Sequence, residues 1–60
     1  MKVLLRWKEK GSRIKEKVIQ TKTKAIYLAH SNTILKNKWE WAEVWHLEGY
    51  LYFDSRDYKK

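Results

Sequence analysis

Gly11 and Gly49 are the chain's only glycines, there is no proline, and each glycine sits between runs that alternate in polarity. VLLRWKE and IKEKVI flank Lys10-Gly11; WEWAEVWHL and YLYF flank Glu48-Gly49. Alternation on both sides of a residue that tolerates positive φ is the pattern of a β-hairpin. Two-residue turns at these pairs set Trp7 opposite Ile14, Leu5 opposite Glu16 and Val3 opposite Val18. In the second hairpin they set Leu47 opposite Tyr50, Trp45 opposite Tyr52, Glu43 opposite Asp54 and Trp41 opposite Arg56. The strands of that hairpin run from about Lys38 to Leu47 and from Tyr50 to Arg56.

Between the hairpins the period changes. Ala25, Leu28, Ala29, Asn32 and Leu35 recur at helical spacing, which predicts a helix from about Lys22 to between Ser31 and Lys36, with Thr21 or Thr23 as N-cap. Ser31, Asn32 and Thr33 are weak helix formers, so the helix can stop there and leave Ile34 and Leu35 in a loop. A third strand over KAIYLA is the competing reading, and alanines on one stripe argue against it. The predicted fold is α+β, ordered ββαββ: one antiparallel sheet of two hairpins with a single short helix packed on one face. The chain reads as one domain over residues 1–60, with 57–60 a polar tail.

A domain of this length buries only ~60% of the surface its unfolded chain exposes, so its interior holds few large rings. With no cysteine, neither a disulfide nor a thiolate metal site can staple it. Parity then sorts the second hairpin. Ala42, Val44, His46, Leu51 and Phe53 share one face, small and aliphatic apart from Phe53, and suit a floor under the helix. Trp39, Trp41, Trp45, Leu47, Tyr50 and Tyr52 share the other with Glu43, Asp54 and Arg56, charges that no core accepts unpaired. In the first hairpin Val3, Leu5, Trp7, Ile14 and Val18 are expected inside, and Leu4, Arg6, Lys8, Arg13, Lys15 and Lys17 outside.

These assignments put Trp39, Trp41, Trp45, Tyr50 and Tyr52 beside Arg6, Lys8, Arg13, Lys15, Lys17 and Arg56 on one exposed sheet face. Rings stack bases and cations neutralise phosphates, so the expected function is a small non-enzymatic binding module for single-stranded nucleic acid. The formal charge of +7 favours such a partner or an acidic protein surface. The alternative is protein contact: tryptophan, tyrosine and arginine are enriched at interface hot spots, and an exposed aromatic patch suits a homodimer. A very small, lysine-rich, cysteine-free chain is also a form taken by phage and mobile-element inhibitors that block a host protein by occupying its surface.

Enzymatic chemistry is not expected, and no cofactor or metal is called for. His46 falls on the predicted core face and His30 near the helix C-terminus, where each has a structural role. Glu43 and Asp54 resemble a carboxylate pair, but Arg56 and the lysines make ion pairing the plainer reading. Parity separates His46 from both carboxylates, which argues against a shared metal. MKVLLRWKEK has three apolar residues before Arg6, too few for a signal-peptide core or a membrane span, so a cytoplasmic protein with no membrane partner is expected.

Overall fold

The two hairpins join through their first strands. β1 (Val3–Glu9) pairs antiparallel with β2 (Ile14–Ile19) on one side and with β3 (Trp39–His46) on the other, and β4 (Leu51–Asp54) lies outside β3. This β2-β1-β3-β4 sheet, with helix α1 (Lys22–His30) on one face, is the expected ββαββ arrangement. The computed structural model describes residues 1–58.

Helix α1 returns the chain from the Val3 end of the sheet to the Glu9 end, because Ile19 pairs with Val3 and Trp39 with Glu9. Thr21 caps it, its hydroxyl oxygen accepting from the Lys24 amide at 3.2 Å. Ala25 and Ala29 are fully buried, and their small side chains let the helix lie close to the sheet. Beyond His30 the chain widens into a π-helical turn, Ser31–Leu35, with the Lys36 amide donating to the Ser31 carbonyl at 2.8 Å. The weak helix formers are used here: the Asn32 amide donates to the Leu28 carbonyl at 2.9 Å and the Thr33 hydroxyl to that of Ala29 at 2.6 Å. Asn37 then stops the turn at φ 53°, a left-handed conformation that asparagine tolerates.

Both hairpin loops are one residue longer than expected. In the first, Lys8 pairs with Ile14, Leu5 with Lys17 and Val3 with Ile19, so the register centres on Gly11, at φ 74°, rather than between Lys10 and Gly11. A slip of one residue turns the whole strand over. Ile14 and Val18, expected inside, are 47% and 48% exposed on the open face, and Ile19 takes the core place at 6%. Lys15 and Lys17, expected on the open face, share the helix side with Trp7 and Leu5. The shift seats Glu16 opposite Arg6, 3.7 Å away, and puts Lys17 at the exposed position opposite Leu5.

In the second hairpin Glu43 pairs with Asp54 and Val44 with Phe53 as expected, but Trp45 pairs with Leu51, leaving Tyr52 as the extra residue of a bulge. Leu47, Glu48 and Gly49 form the loop: the His46 amide donates to the Tyr50 carbonyl at 2.6 Å, the Gly49 amide to that of His46 at 2.9 Å, and Gly49 has φ 112°. Leu51 is therefore on the open face, and Tyr52 packs against the core. A further irregularity beside Glu40 pairs Trp41 with Lys8 but Trp39 with Glu9, which turns Trp39 to the helix side. Its ring stacks there on Trp7, centroids 4.8 Å apart.

The core comprises Val3, Leu5, Ile19, Ala25, Ala29, Ala42, Val44 and Phe53, ringed by half-buried Trp7, Ile26, Leu28, Trp39 and Tyr52. Where β4 ends, Ser55 continues its work: its buried hydroxyl accepts the Ala42 amide at 2.9 Å. The expected tail is structured at its start, with Asp57 in a 3-10 turn (Ser55–Asp57) and the Tyr58 ring stacked on Phe53 at 5.2 Å. Lys59 and Lys60 lie outside the described residues. No helix among the described residues is long and apolar enough to cross a membrane.

Candidate binding surfaces on the two sides of the sheet

Alternation brings Trp41, Glu43 and Trp45 to the same side of β3, the side the helix does not cover, opposite Lys8, Arg6 and Leu4 of β1. Glu43 is the hub. It is 6% exposed although it faces away from the helix, because the neighbouring rings and guanidiniums cover it. Its carboxylate accepts the Trp45 indole N–H at 2.9 Å, pairs with Arg56, and lies 3.5 Å from Arg6. Both guanidiniums then lie over the Trp41 ring, Arg56 at 4.8 Å and Arg6 at 5.7 Å from its centroid.

Asp54, opposite Glu43, holds Arg56 through its side-chain nitrogens at 2.9 and 3.0 Å. Hydrogen bonding to this guanidinium lowers the Asp54 pKa from its usual value, and the same bond raises that of Arg56. A carboxyl whose pKa is depressed on folding contributes stability above its unfolded value and loses it as the pH falls through the lowered one. The melting-temperature gap between the wild type and Asp54→Asn is therefore expected to be widest at neutral pH and to close below about pH 4. With Arg56 half exposed, the gap corresponds to about 1 kcal/mol or less. A gap that does not change with pH means the guanidinium contact contributes nothing.

The three strand and turn cations of this open face are all paired within it, against four carboxylates. Arg6, Lys8 and Arg56 meet Glu16, Glu40, Glu43 and Asp54, and each has an ion-pair partner on the same face. Eight further cations, from Lys10 to Lys38, occupy the turns, the helix and the helix-side positions of β2. The remaining carboxylates among the described residues are Glu9, Glu48 and Asp57. The surface that carries Trp41 and Trp45 is thus not the basic one.

The helix side brings rings and cations together instead, at the Glu9 end of the sheet. Trp7 and Trp39 stack there, Lys15 lies directly opposite Trp7, and Lys17 is two residues further along the same face. A bond from the Lys10 amide to the Lys38 carbonyl, 3.5 Å, draws the first turn and the entry to β3 to this same end. Glu9 is the carboxylate present: it accepts the Trp7 indole N–H and the Lys15 ammonium, both at 3.1 Å, and these bonds lower its pKa.

Of the expected single-face set, Arg6, Lys8, Trp41, Trp45 and Arg56 share the open face. Lys15, Lys17, Trp39 and Tyr52 are on the helix side, and Arg13 precedes β2 outside the strand. Tyr50 is exposed next to the second turn, tilted against the His46 ring at 5.2 Å. Tyr52 also meets His46, at 5.8 Å, and takes the Lys22 ammonium over its ring at 4.5 Å. Sequence reasoning treated Glu43 as an ordinary surface partner of Arg56. Its position two residues from a tryptophan on either side was the available signal for a buried hub.

An open hollow of about 240 Å³ lies on the open face between Leu4, Arg6, Glu16, Trp45 and the second turn. Among the described residues no group of three His, Cys, Asp or Glu side chains can hold a metal ion. No protein-family model, no curated protein and no solved structure matches the chain.

Proposed function

We propose that this protein is a non-enzymatic binding module for single-stranded nucleic acid, engaged on the helix side of the first hairpin rather than on the open face. The observation that carries the reading is the segregation of charge. Phosphates near Trp41 and Trp45 meet Glu43, Asp54 and cations already paired, whereas those near Trp7 and Trp39 meet Lys15 and Lys17, with Glu9 bonded to Lys15. Lys10, Arg13 and Lys38 extend this basic end along the turns. The half-buried Trp7–Trp39 pair supplies an aromatic edge for a base, and cations along the strand path supply the affinity.

About three phosphate contacts predict that log affinity falls against log salt with a slope of roughly −2, from ~0.7 per contact on single strands. Lys17→Ala is expected to reduce that slope by a fraction of a unit, measured by fluorescence anisotropy on a short labelled oligonucleotide across a salt series. Arg56→Ala, on the open face, is expected to leave it unchanged. A chain that binds no oligonucleotide at low salt overturns the reading. The same cations then fit an acidic protein surface, as in an inhibitor that covers its target.

A further inference from the structure

We propose that the open face of the sheet is a self-association surface, occupied by a second copy of this chain. The helix covers one side of the sheet only. On the other, Ile14, Val18 and Leu51 stand 45–48% exposed around the half-buried Leu4, Trp41 and Trp45. Apolar groups clustered in this way mark an interface.

The charges decide which occupant fits. A chain of +7 repels its own copy through any basic surface, and on the open face three cations meet four carboxylates, which leaves no excess of positive charge among them. Arg6, Lys8 and Arg56 are all paired, so a polyanion gains little from them, while a second copy meets no excess of positive charge there and keeps its basic end in solvent. The hollow of about 240 Å³ beside Leu4 and Trp45 offers a recess for one aliphatic side chain of the opposing copy.

Pairing of exposed β2 edges is disfavoured in its central register. An antiparallel pair centred on Glu16 sets Glu16 against Glu16 and Lys15 against Lys17, like charges directly opposed.

Light scattering at ~100 µM, where micromolar dimers are well populated, is expected to give the mass of two chains. Val18→Glu and Leu51→Glu change exposed positions, so each variant should keep the wild-type circular dichroism. Every substitution enters a two-fold interface twice, and each is expected to weaken association at least about tenfold, the pair together giving monomers. Added salt should leave the wild-type dimer intact or strengthen it, since it screens only the repulsion of the basic ends. A wild-type monomer at that concentration, or a dimer that both glutamates leave undisturbed, overturns the proposal. The folded double variant should still bind oligonucleotide with the wild-type salt slope, so loss of that binding counts against the nucleic-acid reading and not against the dimer.

Discussion

Phe53→Ala is expected to unfold the domain. Phe53 is 6% exposed, sits opposite Val44 in the sheet and carries the Tyr58 ring stacked on its outer side, so truncation empties the core and strips the last described turn of its anchor. Removing a buried phenylalanine costs about 3–5 kcal/mol, and a core of this size supplies little more than that in total. Urea denaturation followed by circular dichroism should find the variant unfolded or nearly so in buffer. Trp45→Ala is the control. The ring is larger, yet it lies half-buried on the face without a helix and outside the core, so a monomeric sample should remain folded. Equal loss of structure in both variants, at a concentration where the chain is monomeric, would place Trp45 in the core and reverse the assignment of the two faces.

The parts of this fold that were legible in the sequence are those that depend on type and period. Two glycines between alternating runs announced the hairpins, and alanines at helical spacing announced a helix that lies close to the sheet. Val3, Leu5, Ala25, Ala29, Ala42, Val44 and Phe53 were all expected inside and all are. What escaped was parity near each irregularity. A hairpin loop of two residues and one of three are both compatible with a single glycine, yet they differ by one residue in register and so exchange the two faces of a strand. Val18 gave way to Ile19 for that reason, and the bulge at Tyr52 exchanged Leu51 with its neighbour in the same way.

The error at the candidate site had the same origin. Rings and cations were expected together because both hairpins were sorted with two-residue turns. Once β2 is turned over, Lys15 and Lys17 leave Trp41 and Trp45 and join Trp7 and Trp39. One signal for the true register was present in the residue types. Only the longer loop places Glu16 opposite Arg6 and keeps it away from Leu5. Opposite charges across a strand pair are favourable, so the charged residue carried more information about register than the apolar ones around it.

Glu43→Ala is the second change expected to have a large effect, and it tests whether one carboxylate organises the open face. Glu43 is nearly fully buried, accepts the Trp45 indole N–H, and stands between Arg6 and Arg56, both of which lie over Trp41. Breaking a buried ion pair by deleting one member costs about 3–5 kcal/mol when the survivor stays buried. Here the guanidiniums are 39% and 51% exposed and can rehydrate, so a loss of about 2 kcal/mol is expected. Arg56→Ala should cost less, because Glu43 keeps Arg6 and the indole. Glu43→Gln should fall between them, since it keeps the side chain's shape and an acceptor for Trp45 but not its charge. In a double-mutant cycle the Arg56 substitution should cost less in the Glu43→Ala background than in the wild type, the difference measuring the coupling of the pair. If Glu43→Ala and Arg56→Ala destabilise equally and add without coupling, the carboxylate is no hub, and the positions of Trp41 and Trp45 are set by strand pairing alone.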